Sequence, residues 1–202
     1  AWSSAGRYQP ALDHAHAALA IARDTGYRYG ETDVLNTLGT IHRHRGQRAD
    51  AVERHQRALA LARDTAYRFG ETQALIGLAA ARHTVADATS AVELATGAGY
   101  RVLEGQARTV LSAIHLGLDR LDSAEELAEL ALRGHRETGH RLGEATALLV
   151  LGVLAERAGA GDLARARRRE ALGLFAAIGA PWTDHAAVIP AAATVSWHRQ
   201  DA

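Results

Sequence analysis

Four times along the 202 residues a guanidinium and a carboxylate stand three positions apart, at Arg28 and Glu31, Arg68 and Glu71, Arg101 and Glu104, and Arg141 and Glu144. An acid beside an arginine is a formal candidate for general acid–base work. Fourfold repetition argues for scaffold instead, because a carboxylate at a helix N-terminus contributes about 0.3–1 kcal/mol wherever a helix starts. The arginines are then expected to bond turn carbonyls. Eleven histidines raise the question of a metal. His14/His16 and His42/His44 are spaced i, i+2, which points their rings to different sides of a helix, whereas a helical zinc pair uses i, i+4. Ser3, Ser4, Ser90, Ser112, Ser123 and Ser196 have no nucleophile-elbow setting. The glycines sit at helix ends, where positive φ is needed, and not in a phosphate-cradling loop. The expectation is a chain with no catalytic residue, no metal and no cofactor.

Composition narrows the classes further. Lys plus Arg number 23 against 23 Asp plus Glu, so the cationic surplus that neutralises phosphates is missing and no direct nucleic-acid partner is expected. Without cysteine there is no disulfide, thiolate nucleophile or Cys-ligated zinc. No apolar run approaches the roughly 20 residues that span a bilayer, and the opening AWSSAGRYQP lacks a charged-then-apolar signal pattern. No membrane partner and a cytoplasmic location are expected. With 45 Ala and no Lys, the composition reads as GC-rich bacterial coding, and the absence of Met reads as a processed or excised chain. Hydrophobic residues make up 48% but aromatics only 5%. A core of Ala, Leu and Val suits closely approaching helices, so the fold class expected is all-α.

The elements that position these residues recur. A helix-ending turn followed by a helix start reads Gly26-Tyr27-Arg28-Tyr29-Gly30-Glu31, Ala66-Tyr67-Arg68-Phe69-Gly70-Glu71, Gly99-Tyr100-Arg101-Val102-Leu103-Glu104 and Gly139-His140-Arg141-Leu142-Gly143-Glu144, with a degenerate copy from Gly179 to Asp184. Eight residues before each marker stand Ala18, Ala58, Ala91, Ala131 and Ala171. Seven earlier stand Ala11, Ala51, Ala124 and Ala164, with Thr84 the exception. Each following helix carries Leu38-Gly39, Leu78-Ala79, Leu111-Ser112 and Leu151-Gly152 at one offset. Small residues two turns apart on one face let a neighbouring helix come close.

This arrangement resembles the tetratricopeptide repeat, whose first helix carries Leu followed by a small residue and whose second carries two small residues seven apart. Gly39, Ser112 and Gly152 precede Ala51, Ala124 and Ala164 by 12 residues, as that motif requires. The repeat here runs to 40 residues and not about 34; the large aromatic of the first helix is replaced by Leu35, Leu75, Arg108 and Leu148, and the terminal Pro is absent. This matches the long-period variant of large bacterial transcription regulators. The resemblance implies a right-handed α-solenoid of antiparallel helix pairs over 1–202: a truncated repeat at 1–30, helix-pair repeats at 31–70, 71–103, 104–143 and 144–183, and a terminal helix at 184–202. Within it, a helix is expected near 9–25, helix pairs near 31–65, 71–98, 104–138 and 144–178, and a last helix near 183–199. The second step, from Ala66 to Gly99, is seven residues short around Arg82 to Ser90, either a shortened helix pair or an omitted stretch, and a candidate joint.

By the same resemblance, positions two, five, nine and twelve after each first-helix Glu face a concave groove. The residues expected there to meet a protein or peptide partner include Asp33, Asn36, Thr40, Arg43, Gln73, His83 and Gln106 at a polar end. Leu116, Leu149 and Val153 form an apolar wall, with Glu156 beside them. An extended or helical segment with an acidic or polar head and an apolar tail fits such a gradient. The resulting expectation is a non-catalytic recognition module, the sensor or interaction arm of a regulator. Two alternatives stay open: a homo-oligomer formed through terminal repeats with Trp2, Trp182 or Trp197 in the contact, and a small-molecule sensor using the apolar end.

Overall fold

The computed structural model describes residues 4–186, and every regular element among them is an α-helix. Trp2, Pro190, Trp197 and the remainder of the expected terminal helix lie outside the described residues. The helices are α1 Ser4–Asp24, α2 Arg28–His44, α3 Arg48–Asp64, α4 Arg68–Arg82, α5 Val85–Gly97, α6 Arg101–Gly117, α7 Leu121–Thr138, α8 Arg141–Arg157, α9 Gly161–Ala177 and α10 Trp182–Ala186. They fall into two compact units, Ala1–Ala98 and Gly99–Ala202, and each is a stretch of tetratricopeptide-like α-solenoid. In the first unit α1 packs on α2, α2 on α3, α3 on α4 and α4 on α5, with α2 beside α4. In the second, α6 packs on α7, α7 on α8 and α8 on α9, with α6 and α10 both beside α8.

The recurring turn is a Schellman motif. Gly26, Ala66, Gly99, Gly139 and Gly179 all have positive φ. At the first of these the Tyr27 amide donates to the Ala22 carbonyl at 2.8 Å and the Gly26 amide to that of Arg23 at 3.1 Å, the two bonds that satisfy a helix's last carbonyls. The next helix starts two residues beyond, so α2, α4, α6 and α8 begin at Arg28, Arg68, Arg101 and Arg141 and not at the Glu three positions later. α1 also starts earlier than expected, at Ser4, and continues through Gly6 and Pro10. Pro10 lies inside the helix, where it lacks the N–H that would close one helical bond and its ring crowds the preceding turn, yet the helix continues past it.

Close approach follows from the small residues. Ala51, Ala58, Ala91, Ala124, Ala131 and Ala171 are completely buried, whereas Ala11 and Ala18 on α1 are exposed. The expected pairing of the small sites is direct: the Ser112 hydroxyl donates to the Ala124 carbonyl at 2.5 Å, and a Cβ at Gly152 would lie 3.6 Å from the Ala164 carbonyl oxygen. Leu12, Leu19, Leu35, Leu38 and Ile41 complete one core of the first unit around Ala58 and Ala74. The short repeat is a shortened helix pair. α4 ends at His83, which takes the left-handed conformation itself (φ 57°), and α5 follows after Thr84 with 13 residues.

Candidate functional site

The repeated acids and arginines are built into the scaffold. Glu31, Glu71 and Glu144 each accept from the Nε of an arginine eight residues earlier, Arg23, Arg63 and Arg136, at 2.8, 2.9 and 2.8 Å. Glu104 instead pairs with Arg108 at 2.6 Å. The marker arginines act differently from the expected turn-carbonyl bonds, because Arg28 reaches Asp64 and Arg101 reaches Glu137, one repeat on. These exposed pairs bridge neighbouring helices and are worth at most about 1 kcal/mol each.

Six of the expected groove residues, Asp33, Asn36, Thr40, Arg43, Gln73 and His83, lie in the first unit. Thr40 and His83 are exposed, while Asp33, Arg43 and Gln73 are half-buried. Asn36 is different. It is buried at 6% exposure, its Nδ2 donates to the Gly70 carbonyl at 3.1 Å and its Oδ1 lies 3.1 Å from His55 Nδ1. Both ends of the amide are thus occupied within the unit, and its expected role toward a peptide gives way to joining α2, α3 and α4. Thr40 donates to the Asn36 carbonyl of its own helix at 3.1 Å. Asp33 accepts from the Tyr67 hydroxyl at 3.3 Å; burial pushes its carboxyl up and the hydroxyl pulls it partly back. Burial holds His83 below the ordinary imidazole range, and the charges of Arg48 and Arg43 lower it further.

The other five expected residues, Gln106, Leu116, Leu149, Val153 and Glu156, lie in the second unit. Leu116, Leu149 and Val153 are buried at 0, 0 and 1% exposure, so the apolar wall expected of them belongs to the packed interior. α8 is covered on every side along Ala147–Ala155. Gln106 is half-buried with its Nε2 3.4 Å from His140 Nε2, and Glu156 is exposed.

Two buried histidines, absent from the expected site, are the most specialised groups of each unit. His55 on α3 is 1% exposed. A Cβ built on Gly39 would come within 2.6 Å of its ring, and one on Gly77 within 2.2 Å, so the imidazole fills a slot that only two glycines leave open. Asn36 donates its Nδ2 to a carbonyl, hence its Oδ1 accepts and His55 carries its proton on Nδ1. Burial, with the Arg43 charge added, pushes His55 down to about 3. His135 on α7 is fully buried between Gly105 and Gly143, and burial followed by the neighbouring His140 pushes it down to about 4. A signal for both exists in the repeat register. Eleven residues before the turn marker stand Ala15, His55, Ala88 and Ala128, and four before it stand Ala22, Ala62, Ala95, His135 and Phe175. In three of the other four copies each of these positions is Ala, Arg168 and Phe175 being the exceptions, and the glycines supply the space that the imidazoles fill. His14 and His16, by contrast, are exposed, and among the described residues no three His, Asp or Glu side chains gather as a metal site would require.

These features define an α-helical repeat scaffold whose titratable groups are mostly absorbed into helix–helix packing. Residues 3–64 match the family model of the tetratricopeptide repeat, a match over less than a third of the chain that supports a tetratricopeptide-type repeat protein. No curated protein matches the chain. Tetratricopeptide repeats generally mediate protein–protein interaction and are typically non-catalytic. No helix among the described residues is long and apolar enough to cross a membrane.

Proposed function

We propose that the chain is a non-catalytic recognition module that binds a segment of another protein, and that the first unit carries the contact. The observation behind this reading is the placing of Arg43 at the end of α2, Arg48 at the start of α3 and His83 at the end of α4, with both arginine charges acting on His83. Three cationic or ionisable groups that raise one another's cost of charging gain most from a carboxylate placed among them. The segment is therefore acidic where it meets Arg43. The positions differ between repeats, Arg43 and His83 here against buried Leu116 in α6, so this chemistry is not required by the scaffold. The 40-residue period supports a place as the sensor or interaction arm of a larger bacterial regulator, acting in the cytoplasm through protein contacts and not through nucleic acid.

The test is a peptide array of acidic and charge-neutral 12-mers probed with the full chain, with Thr40→Arg/Arg43→Glu, and with Arg57→Glu on the exposed side of α3. Capture of acidic peptides is expected to fall at least tenfold in the double variant and to persist in Arg57→Glu, with unchanged melting by circular dichroism. Equal capture by all three proteins, or equal loss in both variants, refutes the assignment.

A further inference from the structure

In the second unit His135 and His140 face each other across the α7–α8 turn, Nδ1 to Nδ1 at 3.2 Å with ring centroids 5.0 Å apart. Two nitrogens at that separation share one proton, since two neutral acceptors or two donors facing each other have no bond. The neighbours set its direction. The Thr109 hydroxyl donates to the Gly105 carbonyl at 2.9 Å, so its oxygen accepts from His135 Nε2, 3.2 Å away. His135 Nδ1 is then the acceptor and His140 Nδ1–H the donor. That leaves His140 Nε2 to accept from the Gln106 amide at 3.4 Å. Four bonds run head to tail from Gln106 through both imidazoles to Thr109 and Gly105, tying the turn after α7 to the flank of α6.

The arrangement is specific to this place. The other turns have Tyr27, Tyr67 and Tyr100 where His140 stands, and Tyr67 reaches Asp33 across 34 residues as His140 reaches Gln106 across 34. A Cβ on Gly143 would fall 2.4 Å from His140 Nδ1 and 2.5 Å from His135 Nδ1, and one on Gly105 within 2.7 Å of the His135 ring, so both glycines are needed for the pair. The surrounding charges do not offset a second proton. On α6, Glu104 is held by Arg108; on α7, Arg136 pairs with Glu144 of α8 and Glu170 of α9, and Glu137 pairs with Arg101; on α8, Arg141 adds a further cation. Among the described residues no carboxylate lies within ion-pair distance of either ring.

We propose that the His135–His140 pair is a proton-operated latch: with one shared proton it fastens the α7–α8 turn to α6, and a second proton breaks the Nδ1–H to Nδ1 bond and releases that turn. Burial holds both imidazoles below their ordinary range, so the latch stays shut at neutral pH and opens in acid. Each pKa unit by which closure displaces a histidine makes the open form about tenfold more populated once the pH is below both values.

The experiment is imidazole ¹⁵N NMR and amide hydrogen exchange on the full chain from pH 8 to 4. At neutral pH His140 is expected to carry its proton on Nδ1 and His135 on Nε2, and both rings to become doubly protonated only in acid. Exchange at the His140 amide, which bonds the His135 carbonyl at 2.9 Å, is expected to rise at least tenfold beyond its intrinsic pH dependence between pH 7 and 5. The matching Tyr67 amide, bonded to Ala62 at 2.8 Å, serves as the internal reference. His140→Tyr, which installs the residue of the other turns, removes the extra rise. Opposite tautomers, full double protonation of both rings at pH 7, or equal acceleration at His140 and Tyr67 overturns the latch. The first two readouts need only the unaltered protein, so a poorly folding variant does not weaken the test.

Discussion

Replacing Gly77 by Ala is a mild change on an ordinary helix, favoured by about 1 kcal/mol of propensity. Here the added methyl would stand 2.2 Å from His55 Cε1 and 2.4 Å from both ring nitrogens, so the ring or the helix must move. Overpacking of that kind costs about 1–3 kcal/mol before the propensity gain, and we predict a net loss near 2. Replacing His55 by Ala empties the slot at a cost of about 3 kcal/mol. It also leaves Asn36 Oδ1 buried without its donor, for about 1 kcal/mol more. If the ring and the missing methyl occupy one another's space, the double variant His55→Ala/Gly77→Ala is expected to lose only about 3 kcal/mol, because the clash disappears and the propensity gain remains. The coupling is then roughly 3 kcal/mol, well above the ~0.5 kcal/mol of independent sites. Urea unfolding followed by circular dichroism, with amide exchange of α3 to place the effect in the first unit, measures all three variants. Additive costs would falsify the claim that His55 and the glycine form one fitted slot.

Acid sensitivity follows from the same residue. His55 titrates near 3 when folded against 6.5 when exposed, so below pH 6.5 the unfolded chain binds a proton that the folded unit refuses. Stability is full above that value and falls as pH drops toward 3, with a loss of about 2 kcal/mol by pH 5; an unchanged slope in the His55→Ala/Gly77→Ala variant would contradict this. Asn36→Ala is expected to cost about 2–3 kcal/mol, because it strands both the Gly70 carbonyl and the His55 N–H in the interior, and a thermal melt within a degree or two of the parent would show that the amide is not structural. Ala124→Val fills the place where α6 and α7 touch through the Ser112 hydroxyl and should cost about 1–3 kcal/mol, read as a lowered urea midpoint of the second unit. Arg63→Ala removes an exposed pair with Glu71 and should change stability by less than about 1 kcal/mol; a larger drop in melting temperature would mean that the ladder of such pairs acts as a network.

Much of the fold was legible because it rests on residues that recur for one physical reason each. Gly26, Gly99 and Gly139 mark turns that need positive φ, and Ala58, Ala91 and Ala131 mark helix faces that touch. Where a recurring residue was read too literally the boundary slipped: Glu31 and its counterparts lie one turn inside their helices, since the Schellman turn already permits a start at Arg28. The site was less legible. Asn36 stands at a position that the groove pattern turns outward, yet a buried carbonyl at Gly70 and the proton of His55 draw it inward, and neither partner is near it in sequence. Leu116, Leu149 and Val153 follow the same pattern and are covered because α6 packs on α7 and α8 and α8 has neighbours in α6, α7, α9 and α10, which only tertiary packing reveals.

His55 and His135 show what kind of evidence carries across that gap. In a repeat, the residues common to all copies report the scaffold, so an exception has a cause of its own. A lone exception, such as Glu156 on an exposed face, needs no compensation and can be neutral. The exceptions at His55 and His135 are paired with others: Gly77 and Gly39 leave the space that the His55 ring fills, and Gly105 and Gly143 leave that of His135. Such pairs locate the positions at which this chain departs from a uniform stack of helices. Each of them contains a group whose charge state depends on whether the unit stays closed. That coupling of packing to protonation separates His55 and His135 from the exposed His14 and His16.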